Sequence, residues 1–228
     1  MDDSHTNLGW LTDRGGLASH TGEGLRGVLS FGDLRLLLLA GDEKVAELAL
    51  SGKTVADGYR WLKASLEARL DKLVEGDLAS LHYEVPEHPV GTGQAFSAGA
   101  FTELDHWFGN ANAALAEIKQ ANPGASDVRC WPHHFDLATL IDLGDGKTVG
   151  VGLSPGDGSY AEPYWYVSPW PYPAESELPD LLHGGLWHSQ GFTAAVLRGS
   201  QLVAAQNQEQ ACREFLSDAI GSCRRLLS

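Results

Sequence analysis

Apolar residues fall into short runs over residues 1–50 and into a spaced stripe directly after them. Residues 6–11, 25–31, 34–40 and 45–50 are apolar-rich, separated by Asp13-Arg14-Gly15-Gly16, Gly32-Asp33 and Gly41-Asp42-Glu43. Connections this short and turn-like join antiparallel neighbours, so the pattern predicts a β-meander. Val55, Tyr59, Leu62, Leu66, Leu70 and Leu73 then recur at steps of three and four. That spacing predicts an amphipathic helix reaching about Val74. Thr54 stands where an N-cap belongs, with Asp57 three residues on as its partner.

The same succession returns later. Residues 76–97 form a connector rich in Gly, Pro and His, including Glu84-Val85-Pro86-Glu87-His88-Pro89. Phe101, Leu104, Phe108, Ala111, Leu115 and Ile118 share the stripe of a second helix, which Asn122-Pro123-Gly124 stops. Strand character resumes over 128–142 and, past a Gly144-Asp145-Gly146 turn, over 148–153; further strands are expected at 163–168 and 192–197. A last helix is predicted over 208–227, with Asn207 and Gln210 as cap and partner and Cys212, Phe215, Ala219 and Cys223 on its apolar face. The expected fold class is α+β, with antiparallel meanders each followed by a helix. Residues 1–75 and 127–228 form its two halves and 76–126 the connector and middle helix, all in one compact domain. The halves read as a degenerate duplication, although residue identity between them is too low to establish it.

Composition narrows the classes of function. Hydrophobic residues at 43% and charged residues at 20% describe an ordinary globular chain. Thirty acidic against sixteen basic side chains give −14. Such a surface repels phosphate backbones and anionic lipid heads, so neither a nucleic-acid nor a membrane partner is expected. The longest apolar runs, 36–40 and 46–50, fall far short of the roughly 20 residues of a spanning helix. Met1-Asp2-Asp3-Ser4 lacks the basic and then apolar opening of a secretion signal. Three cysteines with no CxxC pair read as reduced thiols, and the expected location is cytoplasmic.

Two stretches carry chemistry. In the first, His133, His134 and Asp136 sit within one predicted strand, where alternate residues share a face, so His134 and Asp136 would point the same way. An imidazole and a carboxylate so placed can reach one divalent ion, with Zn, Mn or Fe as candidates. Glu162, His188 or the His82/Glu84 pair would complete the site, and the ion would activate water for hydrolysis. A histidine hydrogen-bonded to its carboxylate neighbour in a packed sheet fits the same residues. In the second stretch, Tyr160, Tyr164, Trp165, Tyr166, Trp170 and Tyr172 crowd together. Glu162, Tyr164, Tyr166 and Ser168 would share one strand face, opposite a strand whose Gly150 and Gly152 lack side chains.

Three readings follow from these stretches. In the first, a small polar molecule binds in a pocket floored by Gly150 and Gly152 and lined by His134, Asp136, Glu162, Tyr164 and Tyr166. The second is a metal-dependent hydrolase holding its ion with His134, Asp136 and Glu162. The third is an interaction protein that forms a homodimer through the aromatic segment 160–173. Against the pocket stands simple packing of the rings over the glycines. Trp187-His188-Ser189-Gln190-Gly191 fails as a nucleophile elbow, because Trp187 stands where the first glycine must be. Gly52-Lys53-Thr54 fails as a phosphate loop, because Glu47 occupies its first glycine position.

Trp131-Pro132-His133-His134-Phe135-Asp136-Leu137-Ala138, Ser154-Pro155-Gly156-Asp157 and Glu162-Pro163-Tyr164-Trp165-Tyr166-Val167 together resemble a bacterial family of domains of unknown function. Its members carry an FDLA strand followed by a strand of Pro and aromatic residues. Gly15-Gly16-Leu17 and the strand pair closing at Gly41-Asp42 are similar to that family as well. The resemblance implies a fold and a location for the site, and no reaction.

Overall fold

The structure, a computed structural model, describes residues 6–78, 88–97 and 101–228. It is α+β, with two antiparallel sheets. The chain divides into two compact units, Met1–His106 and Trp107–Ser228.

In the first unit five strands pair in chain order: β1 (Gly9–Leu11), β2 (Gly16–Ala18), β3 (Leu25–Ser30), β4 (Arg35–Ala40) and β5 (Glu43–Ala49). The meander is present, with one strand more than the apolar runs suggested. β2 is only three residues long and sits among turn residues, so no alternation marks it. Gly16 belongs there because a Cβ at that position would lie 2.3 Å from the Leu29 carbonyl oxygen. Leu37, Leu38 and Leu39 are all buried, which makes β4 apolar on both faces. Helix α1 (Val55–Leu70) begins at Thr54, whose side chain accepts the Asp57 N–H (3.1 Å) while Asp57 accepts the Thr54 N–H (2.8 Å). Its contact with the sheet is made through Gly58, which has no side chain to hold Leu36 and Leu50 away. The helix stops before Val74, because Asp71 turns left-handed at φ 50°.

The second unit takes in most of α2 (Thr102–Ala121) and then a six-stranded sheet: β6 (Arg129–Trp131), β7 (Asp136–Gly144), β8 (Lys147–Ser154), β9 (Tyr164–Trp170), β10 (Leu186–His188) and β11 (Ala194–Arg198). Its order is β10-β11-β9-β8-β7-β6, so the chain leaves the meander after β9 and inserts β11 between β9 and the edge strand β10. A short helix α3 (Gly199–Val203) and the long α4 (Gln208–Leu226) close the unit. Asn207 caps α4 by accepting the Gln210 N–H (3.1 Å). Phe215, Ala219 and Cys223 of α4 are buried with Val149, Val151, Leu153 and Val167 of the sheet. The Cys223 thiol reaches the Val167 carbonyl at 3.8 Å.

One predicted element divides. Residues 128–142 form two strands, β6 and β7, joined by a tight turn over 132–135. Trp131 pairs with Asp136 across it, and the Phe135 N–H returns to the Trp131 carbonyl at 2.7 Å. Pro132 lacks an N–H for the ladder, and Phe135 takes the left-handed φ of 55° that reverses the chain. No glycine marks this turn, which is why periodicity ran through it. Among the described residues no helix is long and apolar enough to cross a membrane.

The capping box at Thr54 has a measurable weight. Thr54→Ala removes the acceptor for the Asp57 N–H and should lower stability by about 1 kcal/mol in urea unfolding.

Candidate functional site

Strand register decides what the second sheet offers on each face. Ser154 pairs with Tyr164 and Tyr164 with Arg198; Ala138 pairs with Gly152, Gly152 with Tyr166 and Tyr166 with Val196. Those residues, with Asp136 at the head of β7, lie on the face opposite the Val149, Val151 and Leu153 side chains that the α4 face needs. The sheet is therefore apolar on one side; on the other, hydroxyls and carboxylates stand beside a buried cluster of Tyr164, Ala194 and Val196.

Gly152 determines how that polar face is filled. A Cβ there would lie 2.6 Å from both Cζ and the hydroxyl oxygen of Tyr166 and 2.9 Å from Cβ of Ala138. The end of the tyrosine ring thus occupies the volume of the missing side chain, and Tyr166 crosses β8 to donate its hydroxyl to Oδ2 of Asp136. Asp136 is 7% exposed, and its Oδ1 is buried with no hydrogen-bond partner among the described residues. Burial pushes the Asp136 carboxyl above its ordinary 3.8, although the Tyr166 hydroxyl and the nearby His134 favour its charged form. Burial, and then the charge of Asp136, raise the Tyr166 phenol well above its usual range.

A second carboxylate meets a second tyrosine on the same face. Asp157 accepts the Tyr164 hydroxyl (2.6 Å) at Oδ2, and the N–H groups of Ser159 (2.7 Å) and Tyr160 (3.1 Å) at Oδ1. Burial raises this carboxyl too, but the Tyr164 hydroxyl, the two N–H donors and His134 outweigh it and hold it below 3.8. The loop between β8 and β9 is thereby folded onto the sheet, and Tyr160 packs on Tyr164 with ring centres 4.9 Å apart. The Tyr160 hydroxyl meets Nδ1 of His188 at 3.1 Å, and Nε2 of His188 meets the Gln190 carbonyl at 2.8 Å. A carbonyl only accepts, so the hydrogen-bond pattern assigns the proton to Nε2 and makes Tyr160 the donor to Nδ1.

Beyond these two side chains the surface opens into a cleft of about 510 Å³. Gly158, Ser159 and Tyr160 form one wall; Trp187, His188, Ser189 and Gln190 form the other. The Trp187 indole N–H is held by the Pro179 carbonyl (2.7 Å), and the Ser189 hydroxyl donates to Glu175 (3.0 Å).

The residues singled out from sequence are partly brought together. Asp136, Gly152 and Tyr166 form one contact group, His134 is close enough to act on both carboxylates, and Tyr164 joins through Asp157. The expected geometry needs three corrections. His134 does not share a strand face with Asp136, because it is an exposed member of the turn at 132–135, stacked near His133 with ring centres 4.5 Å apart. Gly152 is not an open floor, because the Tyr166 ring covers it; a Cβ at Gly150 would meet Leu140 and the Ser168 carbonyl, both at 3.9 Å. Glu162 precedes β9 and accepts the N–H (2.7 Å) and hydroxyl (3.1 Å) of Ser200, at the start of α3.

The proposed metal ligands fare no better as a set. Among the described residues no group of three or more His, Cys, Asp or Glu side chains is placed to hold a metal ion, so His134, Asp136 and Glu162 do not form one. His188 is engaged by Tyr160 and Gln190, and His82 and Glu84 lie outside the described residues. The aromatic segment separates three ways: Tyr160, Tyr164 and Tyr166 pack with Ala194 and Val196 on the face that carries Asp136, Trp165 is buried on the opposite face, and Trp170 and Tyr172 go to the surface. Sequence reading missed Asp157 and the pairing of Tyr160 with His188. The signal for Asp157 was Pro155-Gly156-Asp157-Gly158-Ser159, since an Asp in such a turn bonds N–H groups ahead of it.

No protein-family model, curated protein or solved structure matches this chain.

Two substitutions test the polar face. Gly152→Ala forces Tyr166 away from Asp136 and should cost about 1–3 kcal/mol in denaturant unfolding, as overpacking does. Asp136→Asn keeps an oxygen for Tyr166 and removes the titration. Below pH 3.8 folded and unfolded wild type both hold the proton, so burial of the carboxyl carries no ionisation penalty. As pH rises from there through the raised folded value, the unfolded chain ionises first and wild-type stability falls. The variant should therefore melt higher than wild type at pH 7, with the difference vanishing in melts near pH 3.

Proposed function

We propose that this chain binds a small polar molecule in the cleft on the polar face of its second sheet. The observation that carries the reading is a cleft whose walls are held from behind. Tyr160 and His188 fix each other, the Gln190 carbonyl orients the imidazole, and Asp157 gathers the loop that carries Gly158 and Ser159. Walls held this way lose little conformational freedom when a ligand arrives, which is the main saving available to a small site. The cleft's volume lies within the roughly 300–1,000 Å³ of small-molecule sites, and its lining of hydroxyl, amide and imidazole groups suits polar partners. The Asp136–Tyr166 pair belongs to this reading as support: it anchors the tyrosine-bearing strand across β8.

Thermal melts with a panel of monosaccharides, nucleosides, amino acids and polyamines at millimolar concentration test the reading. A compound that binds only the folded chain raises its melting point by mass action, so at least one class should shift wild type in a saturable way. His188→Ala should abolish that shift. A panel that leaves wild type unmoved, or a shift that His188→Ala retains, overturns the assignment to this cleft.

A further inference from the structure

We infer that the ligand of this cleft carries an anionic group, a carboxylate or a phosphate, and that the Arg198 guanidinium receives it; this rests on the binding reading above and narrows its chemistry. Strand register places that side chain. Arg198 pairs with Tyr164 across β11 and β9, and Tyr160, which lines the cleft, packs on the same tyrosine with ring centres 4.9 Å apart. Alternation along β11 puts Arg198 on the face of Ala194 and Val196, the residues beside which Tyr160 and Tyr164 pack. The positive charge of Arg198 acts on the Tyr160 phenol and on Glu162.

That guanidinium is unspent. Among the described residues its Nε is buried without a hydrogen-bond partner, while the two terminal nitrogens make no hydrogen bond or ion pair and are not buried. The side chain as a whole is half-buried, so its stem is held in the packing and its fork opens to solvent. The carboxylates around it are committed: Glu162 accepts the N–H and hydroxyl of Ser200, and Asp157 accepts the Tyr164 hydroxyl and two N–H groups. An arginine kept at the cost of an unsatisfied buried nitrogen calls for a partner from outside the chain. Its planar fork matches the paired oxygens of a carboxylate or phosphate, and a packed stem loses little freedom when one arrives. Charge elsewhere fixes which end of the ligand is anionic. The −14 of the chain repels anions in general, and Glu175, joined to the Ser189 hydroxyl, does so at the other wall. The Tyr160 side, where Arg198 stands, is left to receive the negative group.

Matched neutral and anionic compounds test this in titrations of the isotope-labelled full chain: glucose with glucuronate, succinamide with succinate, and uridine with uridine monophosphate. The signals are the Arg198 Nε–H, which burial protects from exchange, and the His188 backbone N–H. At least one acid should shift both in a saturable way and bind at least about tenfold more tightly than its neutral partner, the worth of a charge-assisted hydrogen bond. The carboxylate and phosphate arms distinguish the two sources of charge. Arg198→Gln leaves the backbone N–H bond to Gln201 (3.2 Å) in place and should reduce the acid to the affinity of its neutral partner, read at His188. An acid that Arg198→Gln binds as tightly as wild type, or that leaves the Arg198 Nε–H unmoved, overturns the inference. Should the variant fail to fold, the wild-type pairs decide alone, and equal affinity for acid and neutral partner overturns it. A neutral compound that shifts His188 when no acid does also overturns it, although the cleft then stands as a binding site. No shift from any compound removes both.

Discussion

The polar face of the second unit depends on one absent side chain. Because residue 152 is glycine, the Tyr166 ring can lie across the central strand β8 and reach Asp136 on β7, two strands away from its own backbone. Anything larger at 152 would push that ring off the sheet. With Tyr166 laid down, Tyr164 stands beside it with ring centres 6.3 Å apart and turns its hydroxyl to Asp157. Asp157 in turn gathers the loop that brings Tyr160 to His188. The arrangement of the cleft is thus the far end of a sequence of contacts that begins at a glycine. The tether has a cost, since Asp136 is buried with one oxygen unsatisfied among the described residues. The chain keeps a buried carboxyl where an apolar residue would pack without that penalty, as it would if the tyrosine needs a polar anchor.

The two sheets share a plan and differ in what their faces carry. Each unit runs a meander into a helix, but β4 is apolar on both faces, whereas β8 alternates valine or leucine with glycine and ends in Ser154. The second unit also departs from chain order by placing β11 inside β10. That insertion lays Val196 beside Tyr166 and leaves His188 on the edge strand, where the Tyr160 hydroxyl can reach it. The chemistry collects in the unit whose topology is irregular.

Element types were legible wherever a period ran long enough. The stripe from Val55 and the Thr54 cap mark α1, and Asn207 with Cys212, Phe215 and Ala219 marks α4. Three-residue strands such as β2 and β10 carry no period and could not be seen. The hairpin between β6 and β7 was hidden because its left-handed residue is Phe135 and not glycine. That single turn moved His134 from a strand face to an exposed loop and so altered the candidate site more than any other difference. Glu162 went astray for a related reason: alternation was extended past the true start of β9. The Tyr166–Asp136 pair was within reach of the sequence only as two members of one group, because bridging a strand depends on register.

All three cysteines lie in the second unit and are buried, Cys130 on β6 and Cys212 and Cys223 on α4. Burial lifts each thiol to about 12, with the charge of Asp136 adding to the effect at Cys130 and Arg213 opposing it at Cys212. Thiolates, the species that alkylating and oxidising reagents attack, are accordingly scarce while the unit stays closed. The rate at which these sulfurs become modified is then a clock for how often strand and helix part company, wound into the molecule without any added label.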